Sequence, residues 1–237
     1  MSISENIAEI RERIDAAAHR AGREVGDVSL MAVSKTFPSY AIREAYSAGI
    51  KLFGENKVQE FSGKAAEITD LRDTEWHMIG HLQTNKAAKA AELFSYVDSV
   101  DSLKVAEKLN TAAAQLKKNL PILIEIKVGG EAAKTGVGLD TPELEQILQS
   151  AARLEHLEFR GLMTVPPFTE NPEDARLYFR QLRELRDRIS ARRIPSVYTD
   201  TLSMGMSHDF EVAIEEGSTC VRVGTAIFGE RNYTSRS

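Results

Sequence analysis

The sequence predicts an α/β protein: a closed (β/α)₈ barrel with one extra helix at its N-terminus, residues 1–237 forming a single domain. Three observations predict it. From residue 28 onward, short apolar runs alternate with longer amphipathic stretches, the pattern of a parallel sheet with helical crossovers. Eight such runs fall within 237 residues, close to the ~250 residues typical of a barrel of this kind. The first run is followed by Ser34-Lys35-Thr36-Phe37-Pro38, not by the glycine-rich turn that opens a dinucleotide-binding sheet.

Each element has its own signal. Ile3, Ile7, Ile10, Ile14 and Ala17 recur at helical spacing among charged residues, which predicts a helix over 3–22 capped by Ser4 and stopped by Gly22. Strands are predicted at 28–34, 51–53, 75–79, 95–99, 120–128, 156–163, 197–203 and 219–223. Helices are predicted near 39–48, 56–69, 85–92, 102–117, 141–152, 172–191 and 207–216. Thr141-Pro142-Glu143 and Asn171-Pro172-Glu173 place proline in the first helical position, and Gly49 and Gly217 close the helices before them. No linker, internal repeat or low-complexity segment interrupts the series.

Composition removes several classes of function. A net charge of −5 argues against a broad nucleic-acid or anionic-membrane surface. The arginine-rich stretch 176–193 carries an apolar stripe of Tyr178, Leu182, Leu185 and Ile189, with Glu184 and Asp187 among the arginines, and reads as a solvated outer helix. The single cysteine, Cys220, lies in an apolar run; it cannot form an internal disulfide and reads as a small buried residue. No apolar stretch reaches membrane-spanning length, and Met1-Ser2-Ile3-Ser4-Glu5 is no secretory signal, so a cytoplasmic protein is expected.

Lys35 ends the apolar run of the first strand. A lysine at a strand end can carry its ammonium to water along its stem. Held at the inner end of a core strand, it is instead partly desolvated, which favours the neutral amine that attacks carbonyl carbon. The far end of the chain bears on this choice. Barrels of this type commonly seat phosphate on the loops after strands 7 and 8. Those loops read Ser203-Met204-Gly205-Met206-Ser207-His208-Asp209, with a helix predicted to start near Ser207, and Arg222-Val223-Gly224-Thr225-Ala226. Hydroxyls, close-approach glycines and a helix start suit an anion. Taken singly, the two segments are an ordinary capped helix and a glycine turn; taken together, they favour a phosphate site.

Strand parity adds a test. Cys220, Arg222 and Gly224 share one face of strand 8, and Met31, Val33 and Lys35 share one face of strand 1. Closure sets these strands side by side, so Lys35, Arg222 and the phosphate loops converge at the C-terminal mouth. An ion pair across the barrel interior is the other reading of Arg222. A phosphate site with a Schiff-base lysine points to pyridoxal 5′-phosphate (PLP). An arginine at the ring nitrogen would disfavour its protonation and weaken the ring as an electron sink.

Segments spread along the chain carry a resemblance. They are Ala32-Val33-Ser34-Lys35-Thr36, Phe53-Gly54-Glu55-Asn56, His77 through Lys86, Lys134-Thr135-Gly136, Arg160 through Thr164, Leu202 through Ser207, and Val221 through Gly229. In this order the chain resembles the pyridoxal phosphate homeostasis proteins, single-domain relatives of the alanine racemase barrel domain (a fold-type III PLP barrel). The resemblance implies that Lys35 holds PLP as an internal aldimine. It implies that Ser203, Met204, Gly205, Ser207, Gly224 and Thr225 contact the phosphate, and that Arg222 contacts the pyridine nitrogen. Asn56 would line the pocket, its alternative being a helix cap. His77 and His81 flank strand 3, and neither is given a proton-transfer role. Lys57 stands where a tyrosine would be expected. The family is understood to bind and buffer the cofactor, and to influence amino-acid and keto-acid balance, without an established reaction. Transfer to apo PLP enzymes is a partner role in keeping with this. Racemisation needs a second base from a further domain, and the chain ends at Ser237 soon after strand 8, so a monomeric non-enzyme is expected. The competing expectations are a PLP-dependent amino-acid racemase and a Schiff-base aldolase acting on a sugar phosphate.

Overall fold

Eight parallel strands close on themselves in the computed structural model, which describes residues 2–129 and 135–230. They are β1 (Ser29–Val33), β2 (Leu52–Glu55), β3 (Glu75–Met78), β4 (Tyr96–Val100), β5 (Leu120–Lys127), β6 (Leu157–Met163), β7 (Val197–Met206) and β8 (Cys220–Val223). The hydrogen-bonded order is β4-β3-β2-β1-β8-β7-β6-β5, and β5 pairs back onto β4 to complete the barrel. A two-residue strand, Val137–Gly138, pairs in parallel with the end of β5. Lys134 of the Lys134-Thr135-Gly136 segment lies outside the described residues.

The helices are α1 (Ile3–Arg20), α2 (Ser39–Ser47), α3 (Val58–Ala65), α4 (Ala87–Leu93), α5 (Leu103–Gln115), α6 (Pro142–Ser150), α7 (Arg176–Ala191), α8 (Phe210–Glu215) and α9 (Thr225–Phe228). Most start where the sequence signals them. Thr141 caps α6 with Pro142 in its first turn, and Gly49 and Gly217 follow α2 and α8 with φ of +87° and +96°. Three predicted boundaries are corrected. The cap of α1 is Ser2, not Ser4: Ser2 Oγ accepts from Glu5 N while Glu5 Oε2 accepts from Ser2 N, a reciprocal capping box. β7 runs on to Met206, past its predicted end at 203. α8 starts at Phe210 rather than near Ser207, because the Asp209 carboxylate accepts from Met206 N and holds the intervening residues in a turn.

Two apolar layers result. Ala32, Phe53, Val97, Ile122, Leu202 and Val221 belong to the large core between the sheet and its helices. Met31, Leu123 and Met163 are buried outside that cluster, in the barrel interior. The Ile7, Ile10 and Ile14 stripe of α1 is buried in the outer core, at roughly 1.5–3 kcal/mol for each fully buried side chain. α1 packs against α2, α8 and α9, across the seam where β8 meets β1. Asn6 Nδ2 donates to the Ile227 carbonyl at 2.8 Å, tying α1 to the short helix that follows β8.

Candidate functional site

The C-terminal mouth of the barrel holds a cavity of about 320 Å³, and Lys35, Asn56, Ser207, Arg222, Gly224 and Thr225 all line it. Closure produces this convergence. Met31 stands opposite Arg222 in the β1–β8 register, and a Cβ added to Gly224 would lie 3.3 Å from the Val33 carbonyl oxygen. Lys35 follows β1 in a turn closed by Phe37 N donating to Ser34 O at 3.1 Å. Its side chain is half-buried and reaches the cavity.

Arg222 is buried and has a fixed direction. Nη1 donates to Ser203 Oγ at 2.7 Å and Nη2 to the Thr164 carbonyl at 2.6 Å. Burial pulls its pKa down, and the neighbouring acidic groups Cys220, Asp98, Asp209 and Glu125 oppose that shift. A guanidinium keeps its proton in any protein setting, so a desolvated cation held by two neutral oxygens borders the cavity. Among the described residues no carboxylate lies within ion-pair distance of it.

The end of the cavity at Ser207, Gly224 and Thr225 is made of backbone and hydroxyls. Gly224 N and Ala226 N donate to Ser207 Oγ at 3.3 and 3.4 Å, long bonds that a charged acceptor would outcompete. α9 begins at Thr225, and the Ala226 N–H that meets Ser207 lies in its first turn. Phe37 stacks on Phe228 at 4.8 Å, joining the Lys35 turn to α9.

Ser203, Met204 and Gly205 are not brought to the cavity wall. β7 is longer than predicted, so Met204 and Gly205 sit within the strand, as Ser203 does, rather than in the loop after it. Ser203 pairs with Cys220, one layer beneath Arg222, and its hydroxyl is spent on that arginine. Met204 is in the outer core. Gly205 has φ +92°, and a Cβ there would come within 2.6 Å of Ala213 Cβ and 3.0 Å of Phe210 Cα; it serves the packing of α8.

Asn56 lines the cavity and makes no capping bond to α3, whose N-cap position is Lys57. Lys57 is exposed and off this wall. His77 lies at the opposite end of the barrel, bonded through Nδ1 to Asp98 at 2.9 Å, and His81 is exposed beside Asp101. Sequence reasoning missed Phe37, Ile79, Val165, Phe168 and His208 in the cavity wall. Phe168 is 78% exposed and packs at a tilt against His208, with ring centroids 5.3 Å apart. The proline pair before it, Pro166-Pro167, was the available signal of a rigid loop at the mouth.

The profile of the alanine racemase N-terminal domain family matches residues 6–232. A pyridoxal phosphate homeostasis protein of Aquifex aeolicus is 46% identical over 233 residues, spanning 98% of this chain and 100% of that protein. The chain belongs to the pyridoxal phosphate homeostasis protein family. Another similar protein is PipY of Synechococcus elongatus, solved with PLP bound. It superposes with a TM-score of 0.84 at 38% identity, over 96% of this chain and 100% of that one. Alanine racemase of Corynebacterium glutamicum, at 17% identity and a TM-score of 0.68, covers 100% of this chain and 65% of its own; it shares the fold with this homeostasis-family chain.

Proposed function

We propose that this protein binds pyridoxal 5′-phosphate at the C-terminal mouth of its barrel, holds it covalently at Lys35, and acts in PLP homeostasis without a dedicated reaction. The observation that carries the reading is the convergence of Lys35, Arg222, Ser207, Gly224 and Thr225 on one cavity. The donor set fits the group: one amine, one desolvated cation, and hydroxyl and backbone donors whose present bonds are long. PLP, when bound, supplies an aldehyde that amines attack and a ring that withdraws electrons. The full-length match to homeostasis proteins and the PLP-bound PipY structure support a cofactor over a sugar phosphate.

Each residue has a separate task in this reading. Lys35 presents its amine into the cavity from the turn after β1. Ser207, Thr225 and the N–H groups of Gly224 and α9 take the phosphate. Arg222, fixed by Ser203 and Thr164, donates to the ring nitrogen and keeps a proton off it, which suits retention better than carbanion chemistry. Asn56 lines the wall. Delivery of the cofactor to apo PLP enzymes is the partner role in keeping with such a site.

The test is titration of purified protein with PLP, followed by visible absorbance, for the native chain and Lys35→Ala. The native chain gains a band that borohydride removes; Lys35→Ala stays folded and gains none. An identical band in both would defeat the assignment. The non-enzymatic part is tested by solvent deuterium entry at the α-carbon of L-alanine. Exchange at the rate of free PLP is expected, and rapid exchange that needs Lys35 would make the protein an enzyme.

A further inference from the structure

A buried ion cluster lies beneath the Lys35 turn, and the cofactor reading gives it no part. Lys64 on α3 has a side chain only 13% exposed. Its Nζ donates to Glu55 Oε1 at 2.7 Å, to the Ser34 carbonyl at 3.1 Å and to Glu60 Oε1 at 3.2 Å, with the Phe37 carbonyl at 3.4 Å. Glu55 is fully buried at the end of β2, and its Oε1 also accepts from Ser34 Oγ at 2.7 Å. Glu60 accepts from Thr36 N. The backbone is therefore gripped before Lys35 at Ser34 and after it at Thr36 and Phe37. Thr36 has φ +67°, a left-handed conformation that a β-branched residue adopts only when its surroundings impose it.

A buried ion pair is a poor device for stability, because desolvation offsets the attraction. Here its bonds go to the backbone of a single turn, the one that carries Lys35. We propose that Lys64, supported by Glu55 and Glu60, is the positioning residue for Lys35, fixing the turn so that the Lys35 amine meets the cavity at the level of Arg222. The inference rests on the reading that Lys35 holds the cofactor. Lys64 is absent from the cavity wall and acts through the backbone of Ser34, Thr36 and Phe37.

The experiment compares two ligands in two variants. PLP can attach to Lys35; pyridoxamine 5′-phosphate has an amine in place of the aldehyde and binds by phosphate and ring alone. Lys64→Met should weaken PLP by about tenfold or more while moving pyridoxamine 5′-phosphate by less than about twofold, because only the covalent contact depends on a correctly aimed amine. The pair Glu55→Gln/Lys64→Met, which leaves no buried charge unpaired, should repeat this pattern if the single variant folds poorly. Lys64→Arg, which keeps the donors, should recover part of the loss. Equal losses for both ligands would overturn the proposal in favour of a purely structural role, and so would unchanged PLP affinity. If Lys35→Ala holds PLP as the native chain does, attachment itself fails, and the proposal falls with it whatever the Lys64 variants show.

Discussion

Ser203 and Ser207 carry the same hydroxyl into different surroundings. Ser203 is fully buried under Arg222, and Ser207 stands in the cavity beside Gly224 and Thr225. Ser207→Ala should weaken PLP by roughly 1–3 kcal/mol, the cost of leaving a charged acceptor short of a hydrogen bond, and should leave phosphate-free pyridoxal nearly unaffected. Ser203→Ala should weaken both compounds alike, since it loosens Arg222, the residue proposed to meet the ring. Paired titrations with the two compounds check this; a phosphate-selective loss in Ser203→Ala would mean the serine reaches the phosphate after all. Lys35, Arg222, Gly224 and Thr225 were legible as one constellation because side-chain parity and barrel closure fix which faces meet. Ser203 lies off the cavity wall because β7 continues past it to Met206, and nothing in the local sequence marks where that strand gives way to its loop. The Lys64 cluster was illegible because Ser34, Glu55 and Lys64 meet only through tertiary packing.

The cavity end at Ser207 and Thr225 depends on how α8 and α9 are seated. Gly205 lets β7 pass under α8 with no side chain between them, and Asp209 holds the turn that presents Ser207. Gly205→Ala combines an unfavourable φ with a clash against Ala213 and Phe210, so it should cost about 2–4 kcal/mol of stability, read as a lowered urea midpoint. A midpoint unchanged from the native chain would mean that α8 can move aside freely. The strand-helix alternation was readable because each strand is a short apolar run and most helices have their own start or stop residue. The start of α8 was not, because Ser207 and Asp209 are both plausible caps and only the Asp209-to-Met206 bond decides between them.

Across the whole molecule, the barrel keeps its two ends separate. The C-terminal mouth holds the cavity lined by Lys35, Ser207, Arg222 and Thr225. Near the N-terminal end, His77 is stacked flat on Tyr96 at 4.3 Å and bonded to Asp98, with Glu75 Oε2 3.9 Å from its Nε2. Burial alone would push the His77 pKa down; the Asp98 charge and hydrogen bond, helped by Glu75, more than offset it and hold it up at about 9. A folded pKa above the unfolded one contributes stability that is complete below about pH 6.5 and is lost as pH rises through about 9. The unfolding free energy should therefore fall by roughly 1–3 kcal/mol across that window. The fall should be absent from the His77→Gln/Asp98→Asn pair, and the His77 ring should titrate near 9 by NMR. A ring that titrates below its ordinary value would show that burial wins over Asp98.

One amine among the many in this chain, that of Lys35, is proposed to hold PLP. This attachment is tested most directly by saturating the protein with PLP, reducing it with borohydride, digesting it and locating the pyridoxyl group by mass spectrometry. A single major adduct on Lys35 is expected, formed at one equivalent of cofactor and lost in Lys35→Ala. An adduct placed mainly on another lysine, or scattered over several surface lysines, would contradict it.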